Sequence, residues 1–185
     1  GSASPPPPEC RYRAVSLEER LPKQQTHIAL AHPAPGLADE DRFAAAVLAQ
    51  VLSGTGNRLF VRLRDELHLA YMVFFNYRPQ RGGGAFFSYL GTQPGRGDEA
   101  LAALEEELAV AAAAGLSDGE IEEAKTHLVG LYKLSRQRNA GVVATYGQAA
   151  ACDRDPSEVD DFPERIRAVE AAAVNAVLRR YLAER

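Results

Sequence analysis

The chain has 185 residues, 46% hydrophobic and 25% charged, which suits one globular domain with a sizeable core. Formal net charge is −4 with acids and bases interspersed, and no basic stripe interleaved with aromatics points to nucleic acid. No apolar run approaches the ~18–20 residues that cross a bilayer, and Cys10 and Cys152 make neither a disulfide framework nor a zinc site.

Residues 1–10 read as an expression scar followed by a stiff, extended Pro5-to-Pro8 leader with no part in the core. Residues 11–185 read as one domain. Loose alternation over 11–19 predicts a strand, and Thr26-His27-Ile28-Ala29-Leu30 lies in a better one over 25–31, ended by Pro33, Pro35 and Gly36. Asp39, Glu40 and Asp41 place acids at a helix start, and Phe43, Val47, Leu48 and Val51 supply its buried face up to Ser53-Gly54. A short amphipathic helix follows from Asn57, with Leu59, Phe60, Leu63 and Leu67 as its apolar stripe. Arg64 falls in its last turn, where a cation complements the helix dipole. Tyr71 opens the next strand, 70–78, rich in aromatic and branched residues. Pro79 to Gly84 is the turn, with the glycines as a flexible tip, and 85–92 returns antiparallel.

Beyond Gly97 the pattern is helical. A helix over 98–114 carries Leu101, Leu104 and Leu108 and stops at Gly115. Ser117 with Glu120 three residues on forms a capping box that opens a long helix with Ile121, Ala124, Leu128, Leu131 and Leu134 on one side. Alanine-rich helices follow over 139–152 and 158–168, and a last one over 170–183. No internal repeat is present. Strands first, helices last and a hairpin between them argue a two-layer α+β domain, an antiparallel or mixed sheet with helices packed on one face.

Arg64 and Tyr71, seven residues apart across a helix-to-strand junction, can converge beside the sheet. A guanidinium offers forked donors and a phenol one directional donor, a pair suited to a peptide carbonyl or a developing oxyanion. The plainer readings are a helix-end cation paired with Asp65 or Glu66 and a half-buried strand tyrosine. Asn57 and Arg58 read as residues that cap and solvate the helix start. His68 reads as facing solvent at the helix end, with substrate contact as the alternative. His27 reads as a half-buried strand histidine. Glu105 to Glu107 and Glu120 to Glu123 read as wet helix faces. Ser53-Gly54-Thr55-Gly56 lacks the spacing and the lysine of a phosphate-binding loop.

The ordered series Leu52-Ser-Gly-Thr-Gly-Asn-Arg-Leu-Phe60, Leu63-Arg-Asp-Glu66, Leu69-Ala-Tyr71, the hairpin, Gly115-Leu-Ser-Asp-Gly-Glu-Ile121 and Ala124-Lys125 resembles the insulinase/pitrilysin family of zinc metallopeptidases, which includes mitochondrial processing peptidase and bacterial relatives. The likeness runs from about residue 25 to residue 182 and is to the C-terminal, non-zinc domain. It implies a metallohydrolase-like domain of the processing-peptidase type, one half of a clamshell whose other half holds zinc through an inverted His-x-x-Glu-His motif. It also implies that Arg64 and Tyr71 reach peptide substrate. The four histidines, His27, His32, His68 and His127, form no such motif, so a helical two-histidine zinc site is excluded here, zinc is expected in a partner domain or subunit, and the chain alone should hydrolyse nothing. Expected partners are a peptide or protein substrate and the zinc-bearing half. A structural or assembly subunit of the same fold is the alternative. Domains of this kind begin with a further strand and helix, so the chain is expected to be truncated at its start, leaving a sheet edge open to a second copy or an extended peptide. The excess of arginine over lysine fits a GC-rich bacterial source, in cytoplasm or periplasm.

Overall fold

The computed structural model describes residues 11–53 and 58–183. The leader, Cys10 and the segment 54–57, which holds Asn57 and most of the glycine-rich turn, lie outside the described residues. Three strands form one antiparallel sheet: β1 (Thr26–Ala34), β2 (Met72–Gln80) and β3 (Gly83–Thr92), in the order β1-β3-β2. The register sets Phe75 opposite Ser88 and Val73 opposite Leu90, so alternate residues of the central strand point to one face. That face carries Val73, Phe75, Phe86 and Leu90, all buried, and helices cover it.

The α-helices of the chain's described residues are α1 (Arg42–Leu52), α2 (Arg58–Phe60), α3 (Gly97–Ala114), α4 (Asp118–Ser135), α5 (Asn139–Ala151), α6 (Ser157–Asp160), α7 (Phe162–Arg167) and α8 (Ala171–Leu182). Val47, Leu48, Val51 and Leu52 of α1, Leu104 and Leu108 of α3, and Val174, Val177 and Leu178 of α8 complete a single core with the sheet. Phe86 is its aromatic centre, with ring centroids 5.4 Å from Phe75, 5.5 Å from Tyr77 and 6.2 Å from Tyr181. Among the described residues no helix covers the opposite face. There Phe74 stacks on Tyr89 at 4.8 Å, and His27 stacks on the other side of the tyrosine with its Nδ1 2.5 Å from the hydroxyl. His27 is therefore exposed on the outer face, and not half-buried.

The two-layer α+β architecture matches the expectation, and several local expectations do not hold. Residues 11–19 form no strand. Leu17 is 92% exposed, and a run with charges at Arg11, Arg13, Glu18 and Glu19 presents no continuous apolar side to a neighbour. Tyr12 ties the segment to the sheet, its hydroxyl donating to the Gly84 carbonyl at 2.7 Å and accepting from the Gly84 N–H at 3.0 Å. Gly83 and Gly84 belong to β3 and not to a flexible tip. A Cβ on Gly84 would lie 2.1 Å from the Pro35 carbonyl oxygen, so the backbones approach too closely for a side chain. The helix expected over 158–168 is split into α6 and α7, because Pro163 starts a new first turn and cannot continue the previous one. Leu131 and Leu134 are exposed, and α4 buries Ile121, Ala124, Lys125 and Val129. Lys125 reaches the carbonyl of Val169 at 2.9 Å and Glu122 at 2.7 Å, tying α4 to the segment between α7 and α8. Helix α5 buries only Ala149 and is anchored mainly through Tyr146, whose hydroxyl donates to Asp160 and accepts from Arg136, an arginine that also donates to Tyr132 of α4.

The capping box forms as expected: the Glu120 N–H donates to Ser117 Oγ at 3.3 Å and the Ser117 N–H to Glu120 Oε2 at 2.8 Å. The same glutamate accepts from Arg58 at 3.2 Å. Arg58 thus does more than solvate a helix start. It bridges Glu120 of α4 and Glu107 of α3, the latter at 3.9 Å, while Arg62 stands 4.0 Å from Glu107, and Arg58, Arg62 and Glu107 line one cleft of about 390 Å³. Glu107 is correspondingly not a wet residue, its side chain being 12% exposed. Burial raises its pKa above the usual glutamate value, outweighing the two arginines.

Two outcomes follow from these contacts. Ser117→Ala should cost about 1 kcal/mol, lowering Tm in a calorimetric melt by about 2–4 °C. A raised carboxyl pKa means that folding favours the protonated form, so Glu107 supports the fold at acid pH and this support is lost as pH rises through its folded pKa. The Tm of Glu107→Gln relative to the parent should therefore rise between about pH 4 and pH 7. A flat difference across that range would contradict the burial argument.

Candidate functional site

Helix α2 does not run on as an α-helix. From Val61 to Glu66 it widens into a π-helical turn, closed by the Leu67 N–H on the Arg62 carbonyl at 3.1 Å. One extra residue is thereby fitted into the turn, and it is here that the chain departs from the regular helix expected from its apolar spacing. Leu59 and Leu63 are buried and Phe60 is half-buried, so the apolar stripe holds, but Leu67 lies beyond the helix.

The turn then reverses sharply into the sheet. The carbonyl of Leu63 accepts two N–H groups, from Leu69 at 2.8 Å and Ala70 at 3.1 Å, while the Leu63 side chain is fully buried. Leu69 and Ala70 are buried as well, and the Tyr71 N–H bonds the Gly91 carbonyl at 2.9 Å, extending the β2–β3 ladder by one residue before β2 begins. His68, at the apex, has φ +51°. This left-handed conformation is uncommon for a residue with a side chain. Its ring Nδ1 lies 3.2 Å from the Arg64 carbonyl, and its own carbonyl accepts from Arg96 Nη1 at 3.2 Å.

Arg64 and Tyr71 flank this reversal, and both are exposed, Tyr71 at 54%. Neither plainer reading describes them. Glu66 pairs with Arg62 at 2.9 Å, and the Arg64 guanidinium lies over the Phe60 ring at 4.7 Å without a carboxylate partner among the described residues. Tyr71 is not half-buried; it and the next residue, Met72, are both exposed at the strand entry. Two donor-bearing side chains are thus presented to solvent from the two arms of one buried hairpin of backbone, able to address acceptor atoms of a ligand.

Sequence reading missed Arg96. It sits in the turn after β3 and is forked onto Glu99, with both nitrogen–oxygen distances 2.8 Å. The pair raises the arginine pKa and lowers that of Glu99, the side-chain hydrogen bond being the main cause in each. The turn residues Gln93-Pro-Gly-Arg96 announce a loop, but nothing in their spacing links them to a junction 28 residues earlier. Among the described residues no cluster of histidine, cysteine, aspartate or glutamate could hold a metal ion, and no helix is long and apolar enough to cross a membrane.

The chain matches the family described as "Peptidase M16 inactive domain" over residues 2–128. It is 30% identical over 190 residues to a protein of Streptomyces coelicolor called an uncharacterized zinc protease, covering 100% of this chain and 41% of the relative. A Mycobacterium leprae protein of the same description is 28% identical over 191 residues, covering 100% and 43%. The chain thus spans about two-fifths of the length of these relatives. Among solved structures it is similar to the peptidase M16 inactive domain from Pseudomonas fluorescens, with TM-score 0.77, 25% identity, and coverage of 87% of this chain and 39% of that one. The inactive peptidase domain of a putative zinc protease from Bordetella parapertussis shares the fold, with TM-score 0.78, 22% identity, and coverage of 90% and 91%. Matched over more than half its length, the chain belongs to the family of peptidase M16 inactive domains, the non-zinc, C-terminal part of zinc protease-like proteins.

Proposed function

We propose that this chain is the substrate-binding half of a zinc metalloendopeptidase, lending Arg64 and Tyr71 to a peptide bound at a zinc site in another domain or subunit. The observation that supports this most is the junction itself, where a guanidinium without a carboxylate partner among the described residues and a 54%-exposed phenol flank a backbone reversal fixed by the buried Leu63. The names of the relatives, zinc proteases more than twice the length of this chain, supply the class of reaction.

A zinc ion bound by the other half would supply Lewis-acid polarisation of the scissile carbonyl and an activated water. The contribution of this chain is positional and electrostatic. The Tyr71 hydroxyl donates to the oxygen that gains charge as water attacks, and the fork of Arg64 holds a neighbouring peptide carbonyl. Both side chains spring from backbone fixed by hydrogen bonds of buried residues, which limits the reorganisation needed to place them. The outer face of the sheet, where Phe74 stacks on Tyr89, offers an apolar wall along which an extended peptide can lie.

In the protein assembled with its zinc-bearing half, Tyr71→Phe should lower kcat by about 10²–10³-fold, while the circular-dichroism melt stays where it was because the phenol is outside the core. Turnover equal to the parent removes the oxyanion role. Arg64→Ala should act chiefly on KM, raising it by about tenfold, the loss of one charge-assisted hydrogen bond.

A further inference from the structure

Arg64 can only donate hydrogen bonds, and Tyr71 is cast as a donor in the reading above, so the pair matches peptide carbonyls alone. An extended peptide presents an N–H beside every carbonyl, and an N–H taken out of water without an acceptor costs free energy. We infer that His68 supplies that acceptor: its Nε2 receives a backbone N–H of the peptide whose carbonyls Arg64 and Tyr71 bind. The inference rests on the substrate-binding reading of the junction.

The tautomer follows from one contact. His68 Nδ1 stands 3.2 Å from the carbonyl oxygen of Arg64, an atom that can only accept, so Nδ1 carries the proton. In the neutral ring Nε2 is then an unprotonated lone pair, and the side chain is exposed. The position is held from its backbone as well. Arg96 grips the His68 carbonyl at 3.2 Å and is itself fixed by Glu99, while the two N–H groups that follow, of Leu69 and Ala70, end on the buried Leu63. The φ of +51° is a conformation in which glycine or asparagine would serve a plain turn with less strain. A side chain kept there, aimed outward and oriented at both ring and carbonyl, is the kind of local strain that accompanies function.

Peptides that lack a single N–H test this directly. An internally quenched peptide cleaved by the assembled protein is compared with analogues that each carry one backbone N-methyl group. At one position the methyl group should raise KM about 5–10-fold, the loss of a single hydrogen bond. In His68→Gly, which relaxes the left-handed backbone and leaves the fold intact, KM for the parent peptide should rise by the same factor and the N-methyl penalty should vanish. His68→Asn, which also tolerates this backbone, should restore part of the discrimination. A penalty unchanged in His68→Gly overturns the acceptor role, since a purely structural histidine would leave it in place. On this chain alone, long-range 1H–15N spectra should show the Nδ1–H tautomer, and an Nε2–H tautomer overturns the inference without any activity measurement. Tyr71→Phe and Arg64→Ala, run in parallel, separate the two levels. If they leave turnover unaltered, the junction is not a substrate site and His68 falls with it. If they impair turnover while His68→Gly matches the parent across the series, only the acceptor role is lost.

Discussion

The carbonyl of Leu63 is the point on which the candidate site turns. Its two bonds to the N–H groups of Leu69 and Ala70 close the reversal from helix to strand, and the fully buried Leu63 side chain fixes that carbonyl relative to the core. A backbone acceptor so placed cannot move without opening a cavity or leaving two buried N–H groups unpaired, each change costing more than a surface contact could return. Arg64 one residue later and Tyr71 one residue after the second N–H are therefore exposed side chains on rigid backbone, the arrangement that a precise binding site requires.

The ion pairs around Arg58 belong to the same support. Glu107 and Glu120 come from α3 and α4, and both reach back to the first turn of α2. Two consecutive helices, distant in sequence from α2, thus brace the short helix that precedes the π-helical turn. Partial burial is what gives this bracing weight, since pairs at the open surface contribute little. Glu107 takes part at the cost of a raised pKa, whereas Glu120, which is also bonded by Ser117, is held below its ordinary value even though burial opposes this.

The main elements were legible because their signals are local. Thr26 to Leu30, the aromatic run through Phe74 and Phe75, and the Ser117–Glu120 capping box each declare an element within a few residues. Failures arose where the answer lies elsewhere in the chain. Residues 11–19 alternate as a strand would, yet only a neighbour across the sheet can make them one. The exposure of Leu131 and Leu134 depends on what packs beside α4. The π-helical turn is silent in the sequence for a different reason: Leu59 and Leu63 fall on one side of an α-helix or of a slightly wider one, so periodicity does not register one inserted residue. Arg64 and Tyr71 could be picked out by spacing and residue type. The reversal that presents them, and the grip of Arg96 on His68, required the fold.

The thin packing of α5 has its own consequence. With Ala149 alone buried and a polar knot of Tyr146, Arg136 and Asp160 as its chief anchor, this helix has little to lose by detaching, whereas α1 and α8 cannot separate from the sheet without exposing the core. Amide protons of α5 will exchange with solvent well before those of the strands, and a protease added to the folded protein will make its first cut near Asn139. The domain thus carries a stability gradient, firmest around Leu63 and Phe86 and loosest at the helix that contributes least to the core.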